Sequence, residues 1–153
     1  PAGTRKVEAG DIYRLYFHGP AYQVVANSWR AGDELVGLFN DALPANHQPE
    51  NRTTLADPRL IELCFQTAGL FELADKEKMG LPYRVGSVEF LKSPSSVKGR
   101  VHAAVTAAGE DSFDAQVVDD NGYVYMRLKD YRTMALPDPV KDELLKPLKD
   151  IID

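Results

Sequence analysis

With 153 residues, 44% hydrophobic and 27% charged, the chain has the make-up of a folded domain that can bury a substantial core without disulfides or a structural metal. A net charge of −5 and an isoelectric point near 5.2 exclude a protein that holds nucleic acid or an anionic membrane through its overall field. The single cysteine, Cys64, excludes a disulfide scaffold. No apolar run approaches the ~20 residues that cross a bilayer, and PAGTRKVEAGD has no apolar core for secretion, so the cytoplasm is the expected compartment. A start without methionine fits a piece of a longer polypeptide, and without an export signal Asn51-Arg52-Thr53 is read as a coincidental glycosylation pattern.

Residues 1–10 read as a linker. The aromatic-rich IYRLYF then meets a turn at His18-Gly19-Pro20 and passes into β-branched residues, with a strand expected over Val24 to Trp29. DELVGLFN is expected to pair with it through a reversal at Arg30 to Asp33, where Gly32 and Asp33 suit a tight turn. Residues 43–56 are polar, contain two prolines and read as a long loop. A helix follows with clear start chemistry: the Asp57 carboxylate suits the N-cap and Pro58 the first helical position. It is expected to reach about Ala74. Its apolar residues spread around the wheel, which predicts a helix enclosed on most sides.

From Tyr83 to Met134 the period changes to two. YRVGSVEFLK, RVHAAVTAA, FDAQVVD and YVYMRLKDY read as four strands, with a hairpin signal at Asn121-Gly122, and consecutive strands are expected to pair antiparallel. Residues 137–153 place Val140, Leu144, Leu145, Leu148 and Ile152 at near-helical spacing around Pro147, read as a linker or short helix toward a next domain. The expected fold class is therefore α+β: a hot dog, in which a curved antiparallel sheet over residues 11–136 wraps one long central helix.

The polar residues of that helix carry the chemistry. Glu62 and Gln66 are four apart, hence on one face and within reach of one ligand. A carboxylate in apolar surroundings favours its neutral form, which a general acid needs to expel a hydroxyl as water. The competing reading is a solvent-facing stripe in which Arg59 forms an ordinary salt bridge with Glu62. Cys64, between them, reads as packing rather than a nucleophile. His47 and His102 have no metal-ligand spacing, and no nucleotide-binding or serine-hydrolase motif is present.

YFHGPAYQ, Tyr16 to Gln23, followed by DPRLIELCFQTAG, Asp57 to Gly69, resembles the C-terminal half of the dehydratase domains of polyketide synthases and polyunsaturated fatty acid synthases. The similarity runs from Ile12 to about Pro137, and DAQVVDDNGYVYMRLKDYRT resembles the family's last two strands. A G-P-x-F-Q-like turn is matched by Gly19, Pro20, Ala21, Tyr22 and Gln23. A D-x-x-x-Q/H helix motif falls on Glu62 to Gln66. The resemblance implies loss of water from a 3-hydroxyacyl chain on the phosphopantetheine arm of an acyl carrier protein, with no other cofactor, giving a 2-enoyl thioester. By carry-over Glu62 is the acid and Gln66 positions the hydroxyl. His18 supports by hydrogen bonding or merely orders the turn, and Gly19, Pro20, Tyr22 and Gln23 help to shape the substrate site.

Two departures accompany the resemblance. Glu62 is one methylene longer than the family's usual aspartate, and none of His18, His47 and His102 begins the H-x-x-x-G-x-x-x-x-P motif that carries the family's base in the first hot dog. The implied partners are an acyl carrier protein, for which Lys92, Lys98 and Arg100 are a candidate basic surface, and a His-bearing first half or another hot-dog protomer. A non-catalytic acyl-binding or dimer-forming module and a hot-dog thioesterase are the alternatives.

Overall fold

The computed structural model describes residues 4–50, 56–92 and 99–151. The Asn51-Arg52-Thr53 pattern, Lys98 and Ile152 lie outside the described residues. The elements in chain order are β1 (Val7–Glu8), α1 (Ala9–Leu15), a 3-10 turn (Pro20–Tyr22), β2 (Val25–Ala31), β3 (Glu34–Phe39), α2 (Pro58–Lys76), β4 (Gly80–Arg84), β5 (Ser87–Phe90), β6 (Val101–Gly109), β7 (Ser112–Asp119), β8 (Val124–Ala135) and α3 (Asp142–Lys149). The strands form one antiparallel sheet in the order β1-β2-β3-β6-β7-β8-β4, with β5 also on β8. The sheet closes over α2, the expected hot-dog arrangement.

α2 begins as its sequence dictates. The Asp57 carboxylate accepts the amides of Arg59 and Leu60 at 3.0 and 3.3 Å, and Pro58 occupies the first turn. The helix ends where Glu77 turns left-handed at φ 57° and returns its amide to the Leu73 carbonyl. Leu63, Leu70 and Leu73 are fully buried against Val105, Val117 and Leu128 of the sheet. The helix sits so close to β3 that a Cβ at Gly37 would fall 2.1 Å from Thr67 Oγ1, so only glycine permits this approach.

Three expectations are corrected. The stretch read as a linker contains β1, which pairs with Ser28 and Asn27 of β2 and buries Val7, and the start of α1. The tail, read as a linker or short helix, holds the short helix α3, which buries Leu145 and Leu148 completely and packs against α1 and α2. It covers a side of the central helix that the sheet leaves open, which is why α2 is apolar nearly all round. YRVGSVEFLK is two strands rather than one, and β5 does not neighbour β6. Both β4 and β5 lie on the long β8, which serves β5 up to Lys129 and β4 from Arg132, with a bulge at Asp130 (φ 50°) between the two registers. The strand after them, β6, crosses to β3.

Candidate active site

Two pieces of backbone bring the site together. α1 presents Tyr13, its C-cap is Tyr16, and the following turn lays His18 to Gln23 across the middle of α2. Arg59, one turn before Glu62, fixes that turn: its guanidinium donates through Nε to the Ala21 carbonyl at 3.0 Å and through Nη2 to the Pro44 carbonyl. It makes no salt bridge with Glu62, and Gln66 is only 2% exposed, so the solvent-facing-stripe reading is overturned.

Gln66 is the hub. Its Nε2 donates to Glu62 Oε1 at 3.0 Å and to the Tyr22 carbonyl at 2.8 Å, and its Oε1 accepts the Tyr13 hydroxyl at 2.7 Å. The Tyr13 oxygen in turn accepts the Val25 amide at 2.8 Å, while the Tyr16 hydroxyl donates to the Gln66 backbone carbonyl at 2.7 Å. Both amide hydrogens of Gln66 are thereby engaged inside the protein. Gln66 orients the carboxylate; it has no N–H left for a substrate.

The second contact to that carboxylate comes from His18, whose Nε2 lies 3.0 Å from Glu62 Oε1. The imidazole is stacked on Phe17 at 5.3 Å and meets the edge of Tyr16 at 5.3 Å. Its Nδ1 is enclosed with no hydrogen-bond partner among the described residues, so the tautomer that fits carries its proton on Nε2 and donates to Glu62. Oε1 thus holds two donors, and Oε2 accepts no hydrogen bond among the described residues. This is the free corner of the carboxylate.

Glu62 and His18 line a cavity of about 50 Å³ whose other walls include Tyr16, Phe65, Leu81 and Tyr131. Phe65 and Tyr131 stack with centroids 4.4 Å apart, making an apolar side opposite the polar one. Gly69 also lies on the cavity, and a Cβ there would fall 2.5 Å from the Tyr16 hydroxyl. Burial pushes the phenols of Tyr13, Tyr16 and Tyr131 upward, with nearby acidic charge adding to each, so all three remain neutral donors. Burial likewise pushes up the Cys64 thiol, which is enclosed and packs as a small apolar group.

Gln66 also lines the cavity, and of the remaining sequence-predicted residues none does. Tyr22 contributes its carbonyl to Gln66, and its phenol accepts Asn46 Nδ2 at 3.4 Å. Gly19 and Pro20 open the 3-10 turn, and Gln23 braces it by donating to the His18 carbonyl at 3.1 Å. The candidate basic surface is partly engaged: Lys92 sits 4.0 Å over the Tyr123 ring and Arg100 pairs with Asp120 at 3.3 Å. Sequence reasoning missed Tyr13, Tyr16 and Tyr131. The three-residue spacing of the first two was a readable helix signal, obscured because IYRLYF was taken only as an aromatic segment.

A sequence profile described as the polyketide synthase dehydratase N-terminal domain matches residues 1–143. Solved structures similar to the chain include a dehydratase from the borrelidin and fluvirucin polyketide synthases, at 23% identity and TM-score 0.67 over 90% of this chain and 49% of that one. A trans-AT polyketide synthase dehydratase domain from Brevibacillus brevis matches at 13% and 0.67 over 86% and 48%. The CurK dehydratase matches in two inactive mutants, both at 17% identity and TM-score 0.67. One has a histidine replaced by phenylalanine, over 87% of this chain and 48% of that one; the other has an aspartate replaced by asparagine, over 88% and 50%. The chain spans about half the length of each of these structures, and at such identities the likeness is one of fold.

Proposed function

Because the chain belongs to the family of polyketide synthase dehydratase domains, we propose that it forms the second hot-dog half of such a domain and supplies the acid side of 3-hydroxyacyl dehydration. The observation that carries this reading is the Glu62 carboxylate, which lines an apolar cavity with one oxygen held by Gln66 and His18 and the other without a hydrogen bond among the described residues. In the proposed step Glu62 Oε2 gives its proton to the β-hydroxyl as the Cβ–O bond breaks, and the electron pair leaves with the oxygen as water. The α-proton goes to a base, and the products are a 2-enoyl thioester and water.

That base is assigned to a His-bearing first half. CurK is inactive when its histidine or its aspartate is replaced. Here Glu62 offers the carboxylate, while His18 is committed to Glu62 and its second nitrogen is enclosed. Placement in the second half rests on the HGPAYQ turn and the Glu62-to-Gln66 helix motif, although the matching profile is described as an N-terminal domain. The substrate is proposed to arrive on the phosphopantetheine arm of an acyl carrier protein.

The test combines the chain with a His-bearing half and offers a 3-hydroxyacyl and a saturated acyl pantetheine thioester. Enoyl product from the first is the expected result. Release of thiol from the second identifies a thioesterase instead, and turnover of neither identifies a binding or structural module.

A further inference from the structure

A hydroxyl that lines a cavity without a protein partner is free to bond to whatever enters that cavity. Tyr131 is 2% exposed and sits near the end of β8, where its ring stacks on Phe65 and lines the same cavity as Glu62. Its neighbours Tyr13 and Tyr16 both spend their hydroxyls on Gln66. The Tyr131 hydroxyl makes no hydrogen bond among the described residues and is not one of their enclosed polar atoms, and Glu62 and Glu72 lie near enough for their charge to act on it. Of the three tyrosines, Tyr13 and Tyr16 are wired to Gln66, while Tyr131, on the cavity beside Glu62, is not.

We infer that Tyr131 is a substrate-contacting residue whose hydroxyl donates a hydrogen bond to the same substrate oxygen that Glu62 protonates. The inference rests on the dehydratase reading above and assigns a second donor to its leaving group. The cavity decides which oxygen this is. Glu62 and Tyr131 line the same cavity of about 50 Å³, so a substrate oxygen seated between them can meet both side chains. Burial and the neighbouring acidic charges keep the phenol in its protonated form, so Tyr131 donates without giving up its proton and the proton balance of the dehydration is unchanged. Its contribution is to the negative charge that gathers on the departing oxygen as the Cβ–O bond stretches.

The experiment compares binding of 3-hydroxybutyryl-pantetheine and butyryl-pantetheine to the wild-type chain and to Tyr131→Phe by calorimetry. The substitution keeps the ring and its stack on Phe65. The expected result is a loss of roughly five- to tenfold in affinity for the hydroxy thioester, no change for the deoxy one, and an unaltered melting temperature. In the enzyme completed by a His-bearing half, kcat for the hydroxy substrate falls by at least as much. Equal weakening of both thioesters, which a packing role would give, overturns the assignment, as does undiminished preference for the hydroxy compound, which would leave the hydroxyl to a water. Failure of the underlying reading looks different: the wild-type chain then binds neither thioester, or the completed enzyme loses no activity in Glu62→Gln.

Discussion

Two carboxylates stand ten residues apart on the same central helix, and their surroundings separate the proposed acid from a packed carboxylate. Glu62 is about a quarter exposed, has two donors on Oε1, lines a cavity, and has no hydrogen bond to Oε2 among the described residues. Glu72 is 1% exposed, takes one bond from Thr133 Oγ1 at 3.0 Å, and has its Oε2 enclosed without a partner. That oxygen is pressed against β4, where a Cβ on Gly80 would fall only 2.0 Å from it. Burial alone does not make an acid catalytic. What matters is whether its free oxygen meets a space that a substrate enters or the backbone of a neighbouring strand.

The widest separation between the two ends is expected in activity. Glu62→Gln in the completed enzyme should lower kcat by about 100- to 10,000-fold, the range for removing a general acid. Its melting temperature should stay close to that of the wild type, because Oε2 has no protein partner to lose. Glu72→Gln should do the reverse and leave kcat near the wild-type value. A steady-state assay of enoyl formation beside a thermal melt reads both, and an unchanged kcat in Glu62→Gln would erase the distinction.

The next effect is on packing at the Glu72 end. Gly80→Ala places a methyl 2.0 Å from Glu72 Oε2 and 2.8 Å from Thr133 Cβ. With neither neighbour free to withdraw, urea unfolding should show a loss of about 2–3 kcal/mol. Gly10, which has open space around its Cβ position, is the control: Gly10→Ala should be neutral or slightly stabilising. At the Glu62 end Tyr13→Phe is expected to cost about 1–2 kcal/mol, since it strips a donor from Gln66 and an acceptor from the Val25 amide in one change. It should also lower kcat more than it raises KM, because the group it loosens is the one that aims the carboxylate.

The contrast between the ends also explains what was legible in the sequence. Asp57-Pro58, Gly32 and Asn121-Gly122 announced a helix start and two reversals because the chemistry of each is local, and Glu62 with Gln66 could be paired by helical spacing alone. The crossover that sends β6 to β3 while β4 and β5 share β8 could not be read, because which strands pair is decided by closure of the whole sheet around α2. Glu72 escaped notice for the same reason. Between Phe71 and Leu73 it looks like a residue on a helix surface, and only the return of β4 and β8 over that surface encloses it. The tyrosines that wire Gln66 come from a helix some fifty residues earlier, and Tyr131 from the last strand.

The smallest expected effect is one of pH, and Glu72 is the raised carboxylate behind it. Burial raises its carboxyl above the ordinary value of 4.5, against the opposing influence of the Thr133 hydrogen bond and Lys76 and with the support of Asp111. The folded protein therefore holds this proton more tightly than the unfolded chain does. The stabilisation is fully present below the unfolded value and is lost as pH rises through the folded one. Asp111, lowered by its hydrogen bond to Lys76, and Asp130, lowered by its hydrogen bond to Arg132, act in the opposite sense: their contributions are present above 3.8 and are lost as pH falls through their folded values. The two limbs occupy different windows, so melting temperatures can separate them. Glu72→Gln has no proton to lose and should flatten the decline on the neutral side while leaving the acid limb intact. A decline of unchanged slope in that variant would mean that the enclosed oxygen against Gly80 does not titrate with folding, and that the two ends of the helix differ in access alone.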